Sequence, residues 1–281
     1  MVRIVTDSSS NITPEEAEEL GVTVIPLTVI FGSDELRDGV DITAEAFYDR
    51  LARDKNHPHT SQIDTAQFEE IFRDAQAKGE KLILLPISAA LSGTHAAAVK
   101  AKENVGYDGK YVYDTRTTTV MLKMLVLEAR RLADREPEEI ISALDDLRSR
   151  TELYAMVDTL EYLWKGGRMA RGTAMLGGLF RVKPIITIKS DGSLDVVAKA
   201  IGTRSAIKNL RKFVNPETID PDVPVYYIYT VNKDNCERLI NEVHPDRHDE
   251  YLSDATNICP VIGVHIGPGA VGICFARKKE A

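Results

Sequence analysis

Short apolar runs alternate with helical patterns through the first half of the chain, the arrangement that builds βα units and a mainly parallel sheet. Val2–Val5 reads as the first strand. After the turn Thr6-Asp-Ser-Ser-Ser-Asn11, the sequence Thr13-Pro-Glu-Glu16 has the form of a capping box with proline at the first helical position, and Gly21 ends that helix. Val22–Ile25 and Leu27–Phe31 predict strands, a helix follows Thr43, and another runs from Thr65 to Lys78 before Gly79. Lys81–Pro86 and Lys110–Tyr113 predict two more strands, and Thr117–Asp134 and Pro137–Arg150 two successive helices.

Near Arg150 the rhythm changes. Ile185–Lys189 and Leu194–Ile201 flank Asp191-Gly192, a dipeptide favoured in tight hairpins, so antiparallel pairing begins here. Helices over Thr203–Val214 and Lys233–Val243 are interleaved with expected strands at Val225–Val231, Val261–Ile266 and Val271–Arg277. The pattern predicts two α/β-class domains: an N-terminal one over 1–151 with a mainly parallel sheet, and a C-terminal α+β one over 152–281 with a mixed or antiparallel sheet.

Composition narrows the function classes. With 281 residues, 43% hydrophobic and 28% charged, the chain has the make-up of a globular protein. A net charge of −8 and the lack of a helix-turn-helix pattern argue against nucleic acid as a partner. Cys236, Cys259 and Cys274 are scattered with no Cys-x-x-Cys pair, which excludes a disulfide scaffold and a thiolate zinc site. His57-Pro-His59 has no evident third metal ligand. The N-terminus runs straight into a strand without a signal-like leader and no run approaches eighteen apolar residues, so the cytoplasm is the expected compartment.

The most informative chemistry follows the strand at Lys81–Pro86. Ser92-Gly93-Thr94 stands where a helix begins, and helix starts carry unpaired N–H groups and partial positive charge suited to an anion. No Lys or Arg lies between Ile87 and Ala98, and neither nucleotide-phosphate glycine motif is present. A phosphate dianion usually recruits a cation; a carboxylate is satisfied by hydroxyls and N–H groups. An ordinary helix cap is the plainer explanation of the same hydroxyls. Further hydroxyl-rich turns at Thr6–Ser10, Thr60-Ser61-Gln62 and Asp114-Thr115 follow the N-terminal strands, where ligands of open α/β sheets bind, and one shared polar pocket is the economical reading. Each turn capping its own helix is the competing one.

Two segments of the second half add candidates. Tyr162-Leu-Trp-Lys-Gly-Gly-Arg168 places adjacent glycines beside a cation, among Met156, Leu160, Leu163, Met169, Met175, Leu176, Leu179 and Phe180, with a second pair at Gly177-Gly178. Flexible methionines suit a wall around an apolar ligand, although core packing explains the stripe too. His265 sits in Gly263-Val-His-Ile-Gly-Pro-Gly-Ala270 and can donate to an anion. A serine hydrolase or an acyl or phosphoryl transferase acting on a small acid, with Ser92 as nucleophile, is the alternative reading; Ala90-Leu-Ser-Gly-Thr94 lacks the flanking glycines of a nucleophile elbow.

These segments together resemble the DegV family of bacterial fatty-acid-binding proteins. The resemblance rests on Thr6-Asp-Ser8, Thr60-Ser-Gln62, Ile87-Ser with Leu91-Ser-Gly-Thr94, Tyr162-Leu with Lys165-Gly-Gly-Arg168, Lys183-Pro-Ile-Ile186, and His265 with Gly267-Pro-Gly-Ala270. It implies two domains with a long-chain fatty acid between them, the acyl tunnel being formed by the C-terminal domain. The implied head-group residues are Thr60, Ser61, Ser92, Gly93 and Thr94, with Arg168 and His265 nearby. It further implies a carrier without catalytic residues or a cofactor, handing its acid to a separate ATP-dependent fatty acid kinase whose acyl-phosphate product can feed phospholipid synthesis. Arg204, Lys208, Arg211 and Lys212 form a cationic stretch suited to such a kinase or to transient contact with an anionic membrane. The chain departs from the usual pattern at Ala89, where a second serine is common, at His95, where an aromatic is frequent, and at Ile63, where proline often stands. Burying about fourteen methylenes at ~0.8 kcal/mol each gives roughly 11 kcal/mol of gross gain, so a long chain, not a short acid, would carry the affinity.

Overall fold

A computed structural model describes residues 1–54, 56–106, 108–170 and 181–279. The chain divides into two compact units, and neither is a continuous stretch. The first comprises Met1–Ile42, Thr60–Ser149 and Ser190–Ser193; the second comprises Thr43–His59, Arg150–Lys189 and Leu194–Ala281. Residues 43–59 belong to the second unit and residues 190–193 to the first, so each unit takes in segments from both halves of the chain.

The first unit is built on a parallel sheet of order β2-β1-β6-β7, with β1 at Arg3–Asp7, β2 at Thr23–Ile25, β6 at Leu82–Leu85 and β7 at Lys110–Val112. Arg3 pairs with Leu82 and Leu82 with Lys110, so the turns after β1, β6 and β7 emerge from one edge of the sheet. All four β6 residues, Leu-Ile-Leu-Leu, are fully buried, as a central parallel strand covered on both faces requires. A small separate sheet has the order β4-β3-β5, with β3 at Thr28–Phe31, β4 at Asp34–Arg37 and β5 at His59–Ser61.

Local signals set the helix ends. Thr13 accepts from the Glu16 N–H while the Glu16 carboxylate accepts from the Thr13 N–H, completing the capping box of the helix Pro14–Leu20. The helix Thr65–Lys78 ends at Gly79, whose φ of +65° is the left-handed conformation that glycine adopts without strain.

The second unit holds a six-stranded mixed sheet of order β10-β9-β8-β13-β11-β12, with β8 at Thr151–Met156, β9 at Val182–Ile188, β10 at Leu194–Ile201, β11 at Tyr226–Tyr229, β12 at Thr256–Asn257 and β13 at Val271–Ala276. Its pairings are antiparallel except β11 with β12. The helices Thr203–Arg211 and Asp234–Val243 lay Ala206, Ile207, Leu210, Leu239 and Ile240 on a core that includes Met156, Ile185, Ile273 and Phe275. β9 and β10 form the expected hairpin around Asp191-Gly192.

One expectation is corrected. Val261–Ile266 is no strand: Pro260–Ile266 is a helix, opened by Pro260 and closed at Gly267. A methyl group on Gly263 would lie 2.6 Å from Phe47 Cε1 and 2.7 Å from the Tyr48 hydroxyl, so only glycine lets this helix approach the helix Ala44–Arg53. A short helix buried almost all round has no polar face to reveal its period.

Candidate functional site

The hydroxyl turns of the first unit fall into two kinds. In the turn after β1 the side chains secure backbone. Thr6 Oγ1 donates to the Leu85 carbonyl at 2.7 Å, Ser8 Oγ accepts from the Leu27 N–H at 3.0 Å, and Ser10 Oγ accepts from the Ile12 N–H at 3.4 Å. Buried Asp7 accepts from the Ser9 N–H and hydroxyl and from the Ile87 N–H at 2.7 Å. Burial pushes its carboxyl up to about 6, against these hydrogen bonds, which favour the charged form. The Thr6–Ser10 turn therefore braces the neighbouring loops through its side chains.

The turns at 60–62 and 92–94 are different. The helix Thr94–Val105 follows β6, and its N-cap is Gly93, with no side-chain cap hydrogen bond. Half-buried Ser92 accepts from the Thr94 N–H at 3.2 Å, and its hydroxyl lies 2.9 Å from Thr94 Oγ1. A Cβ on Gly93 would meet Gln62 Oε1 at 1.9 Å, so the absent side chain is what lets the Gln62 amide close on this turn. Thr60 is half-buried; Ser61 is exposed, its hydroxyl 3.3 Å from the Gln62 carbonyl. Ser92, Gly93 and Thr94 thus gather with the 60–62 turn in one unit, with hydroxyls and a side-chain amide and no Lys or Arg between Ile87 and Ala98.

Arg168 and His265 come together in the second unit. The helix Glu161–Lys165 ends at Gly166, and Gly167, at φ +73°, turns the chain so that the Arg168 N–H donates to the Leu163 carbonyl. Arg168 Nη1 donates to the Gly166 carbonyl at 2.5 Å, fixing one arm of the guanidinium on its own loop. His265 lies in the last turn of Pro260–Ile266, and its Nδ1 occupies space a Gly166 side chain would need. Burial, with the charges of Arg168 and His57 adding to it, pushes the His265 imidazole down to about 3, so it is neutral at pH 7. Burial also lowers the Arg168 guanidinium from its ordinary value. Tyr162 packs where a Gly267 side chain would be and stands 5.3 Å, centroid to centroid, from the His57 ring.

A cavity of about 160 Å³ beside Tyr162 is bordered by His57, Asn56, Glu161 and Lys165. It is smaller than the roughly 300–1,000 Å³ of an ordinary small-molecule pocket and polar, unsuited to an acyl tail. Met156, Leu160 and Leu163 are core residues; Met175, Leu176, Gly177, Gly178, Leu179 and Phe180 lie outside the described residues. On the helix Thr203–Arg211, Arg204 and Lys208 are exposed, whereas Arg211 donates to the carbonyls of Glu242 and Val214. Among the described residues no group of three or more His, Cys, Asp or Glu is placed to hold a metal, and no helix is long and apolar enough to cross a membrane.

Sequence reasoning missed Gln62 as a partner of Gly93 and Ser88 as a buried hub of the same loop. The Thr60-Ser-Gln62 motif contained the first and Ile87-Ser the second, but neither pattern says what its side chain meets.

The molecule so defined is a two-unit α/β protein, with a parallel sheet in the first unit, a mixed six-stranded sheet in the second and a small three-stranded sheet besides. The chain belongs to the DegV family, whose family model matches residues 1–278. It is 33% identical over 285 residues to a DegV domain-containing protein of Caldanaerobacter subterraneus subsp. tengcongensis, covering 99% of each chain. Its fold matches a DegV family protein from Thermus thermophilus described for fatty acid binding, with 28% identity, 99% of each chain covered and a TM-score of 0.84. A stearic acid-binding protein from Eubacterium ventriosum matches at 27% identity over 99% of each chain, with a TM-score of 0.83.

Proposed function

We propose that this protein binds a long-chain fatty acid as a carrier, the carboxylate held by the hydroxyls of Thr60 and Ser92 with the neighbouring Ser61, Gly93 and Thr94. Arg168 and neutral His265 complete the head-group set as cation and N–H donor. The observation that carries the reading is the cation-free turn at 92–94, closed on Gln62 through a glycine that admits no side chain. Such a turn suits a singly charged carboxylate, and solved relatives of the same fold are described as fatty-acid-binding proteins. Ser92 acts as a hydrogen-bond donor and not as a nucleophile, and the chain performs no chemistry of its own. It presents the acid to a separate ATP-dependent fatty acid kinase, with exposed Arg204 and Lys208 offered to that kinase or to an anionic membrane in the cytoplasm.

Mass spectrometry of organic extracts from gently purified protein tests the reading. Stoichiometric fatty acid is the expected result; an empty protein that forms a covalent adduct at Ser92 would overturn it in favour of a hydrolase. Ser92→Ala should weaken binding of the free acid about tenfold, the worth of one hydrogen bond to a charged group. Shortening the acyl chain should weaken it steeply, and equal binding of acetate and a long-chain acid would sink the proposal. Addition of a fatty acid kinase and ATP should convert bound acid to acyl-phosphate.

A further inference from the structure

The loop that leads to Ser92 is held from several directions. The Pro86 carbonyl accepts from Thr115 Oγ1 at 2.6 Å, the Ile87 N–H donates to Asp7 Oδ2 at 2.7 Å, the Ser88 N–H donates to the Thr117 carbonyl at 2.8 Å, and the Ala89 N–H donates to Asp114 Oδ1 at 3.1 Å. These partners stand at the end of β1 and in the turn after β7, the strands on either side of β6. One further partner comes from elsewhere. The hydroxyl of fully buried Ser88 donates to the Gly192 carbonyl at 3.0 Å, 104 residues along the chain, and accepts from the Ala90 N–H at 3.2 Å.

Ser88 is the hub of this loop. Its carbonyl accepts from the N–H groups of both Leu91 and Ser92, at 3.0 and 3.1 Å, so Ser88 fixes the backbone of Ala90, Leu91 and Ser92 at once. Gly192 is the tip of the β9–β10 hairpin, and residues 190–193 cluster with the first unit although both strands belong to the second. The tip is seated without spare room. A Cβ on Gly192 would lie 2.2 Å from Ser88 Oγ and 2.8 Å from Arg116 Cα, and its φ of +82° favours glycine in any case. Arg116 itself is held at φ +51°, an uncommon conformation for a residue with a side chain.

We infer that the 190–193 tip is a strut that positions the Ser88–Thr94 turn for the carboxylate, with Ser88 and Gly192 as positioning residues that do not touch the ligand. This rests on the fatty-acid reading above. The strut acts on the head group alone, so its loss changes how the protein distinguishes a carboxylate from an uncharged end of the same chain.

The test compares binding of palmitate and methyl palmitate by the unaltered protein, Gly192→Ala and Ser88→Ala, with hydrogen exchange measured over residues 87–94. Each variant should lower the preference for acid over ester about tenfold, leave ester binding unchanged and speed exchange at Ala90–Ser92. Equal losses for acid and ester, or an unchanged preference in both variants, would overturn the strut, since general destabilisation does not discriminate between the two ligands. If the unaltered protein shows no preference for the acid, the carboxylate reading fails by itself. Exchange then decides separately: faster exchange in the variants upholds the strut, and unchanged exchange overturns it.

Discussion

Replacing Gly166 by alanine tests whether His265 is locked in place. Gly166 closes its helix at φ −76° and ψ −5°, a conformation alanine adopts freely, so backbone strain does not enter. The new methyl would lie 2.1 Å from His265 Nδ1, 2.9 Å from Cε1 and 3.2 Å from the Tyr162 carbonyl. Non-bonded heavy atoms sit ~3.5–4.0 Å apart, so the imidazole must retreat by more than about 1 Å. It stands on a buried helix, and overpacking of this kind costs about 1–3 kcal/mol. Alanine for glycine returns up to about 1 kcal/mol through the unfolded chain, so a net loss of about 1–2 kcal/mol is expected. His265→Ala vacates the space, and the double variant should be more stable than the sum of the single changes by about 1–3 kcal/mol. Urea unfolding of all four proteins, compared at equal m-values, supplies the cycle. Additivity within about 0.5 kcal/mol would show that Gly166 and His265 do not share this space and refute the reasoning.

Two further outcomes concern the first unit. Asp7 has its carboxyl raised from 3.8 to about 6, so the fold favours its neutral form; that contribution is whole below about pH 4 and lost as pH rises through 6. Relative to Asp7→Asn, the unaltered protein should therefore lose about 2 kcal/mol between pH 4 and pH 7 in denaturant titrations, and parallel profiles would contradict the assignment. Thr13→Ala should cost about 1 kcal/mol and speed amide exchange in Pro14–Leu20, because it removes the acceptor for the Glu16 N–H.

Signals confined to a few neighbouring residues were legible. Thr13-Pro-Glu-Glu16, Thr65–Lys78 with Gly79, and Asp191-Gly192 each carry their own instruction, and each forms the element it predicts. Elements whose character comes from their surroundings were not. The helix Pro260–Ile266 packs where Gly263 admits Phe47 and Tyr48, more than 200 positions away, and burial on nearly every side hides its period. The central strand β8 continues directly from the helix Pro137–Arg150 with no turn residue between them, and the edge strands β4 and β5 are too short and polar to show a period. The same division runs through the candidate site. Ser92-Gly93-Thr94 stood out as a local motif, whereas the bracing role of Thr6–Ser10 depends on carbonyls and N–H groups contributed by distant segments.

The crossing of residues 43–59 and 190–193 between the units has a consequence for inheritance. Neither unit corresponds to one uninterrupted stretch of gene, so no single recombination event can exchange one of them whole. A crossover near codon 150 would pair the Ser88 loop of one parent with the Gly192 tip of another, and the two must still fit to within a methyl group. The head-group turn and the hairpin that reaches it are thereby bound to diverge together, as one hereditary unit rather than two.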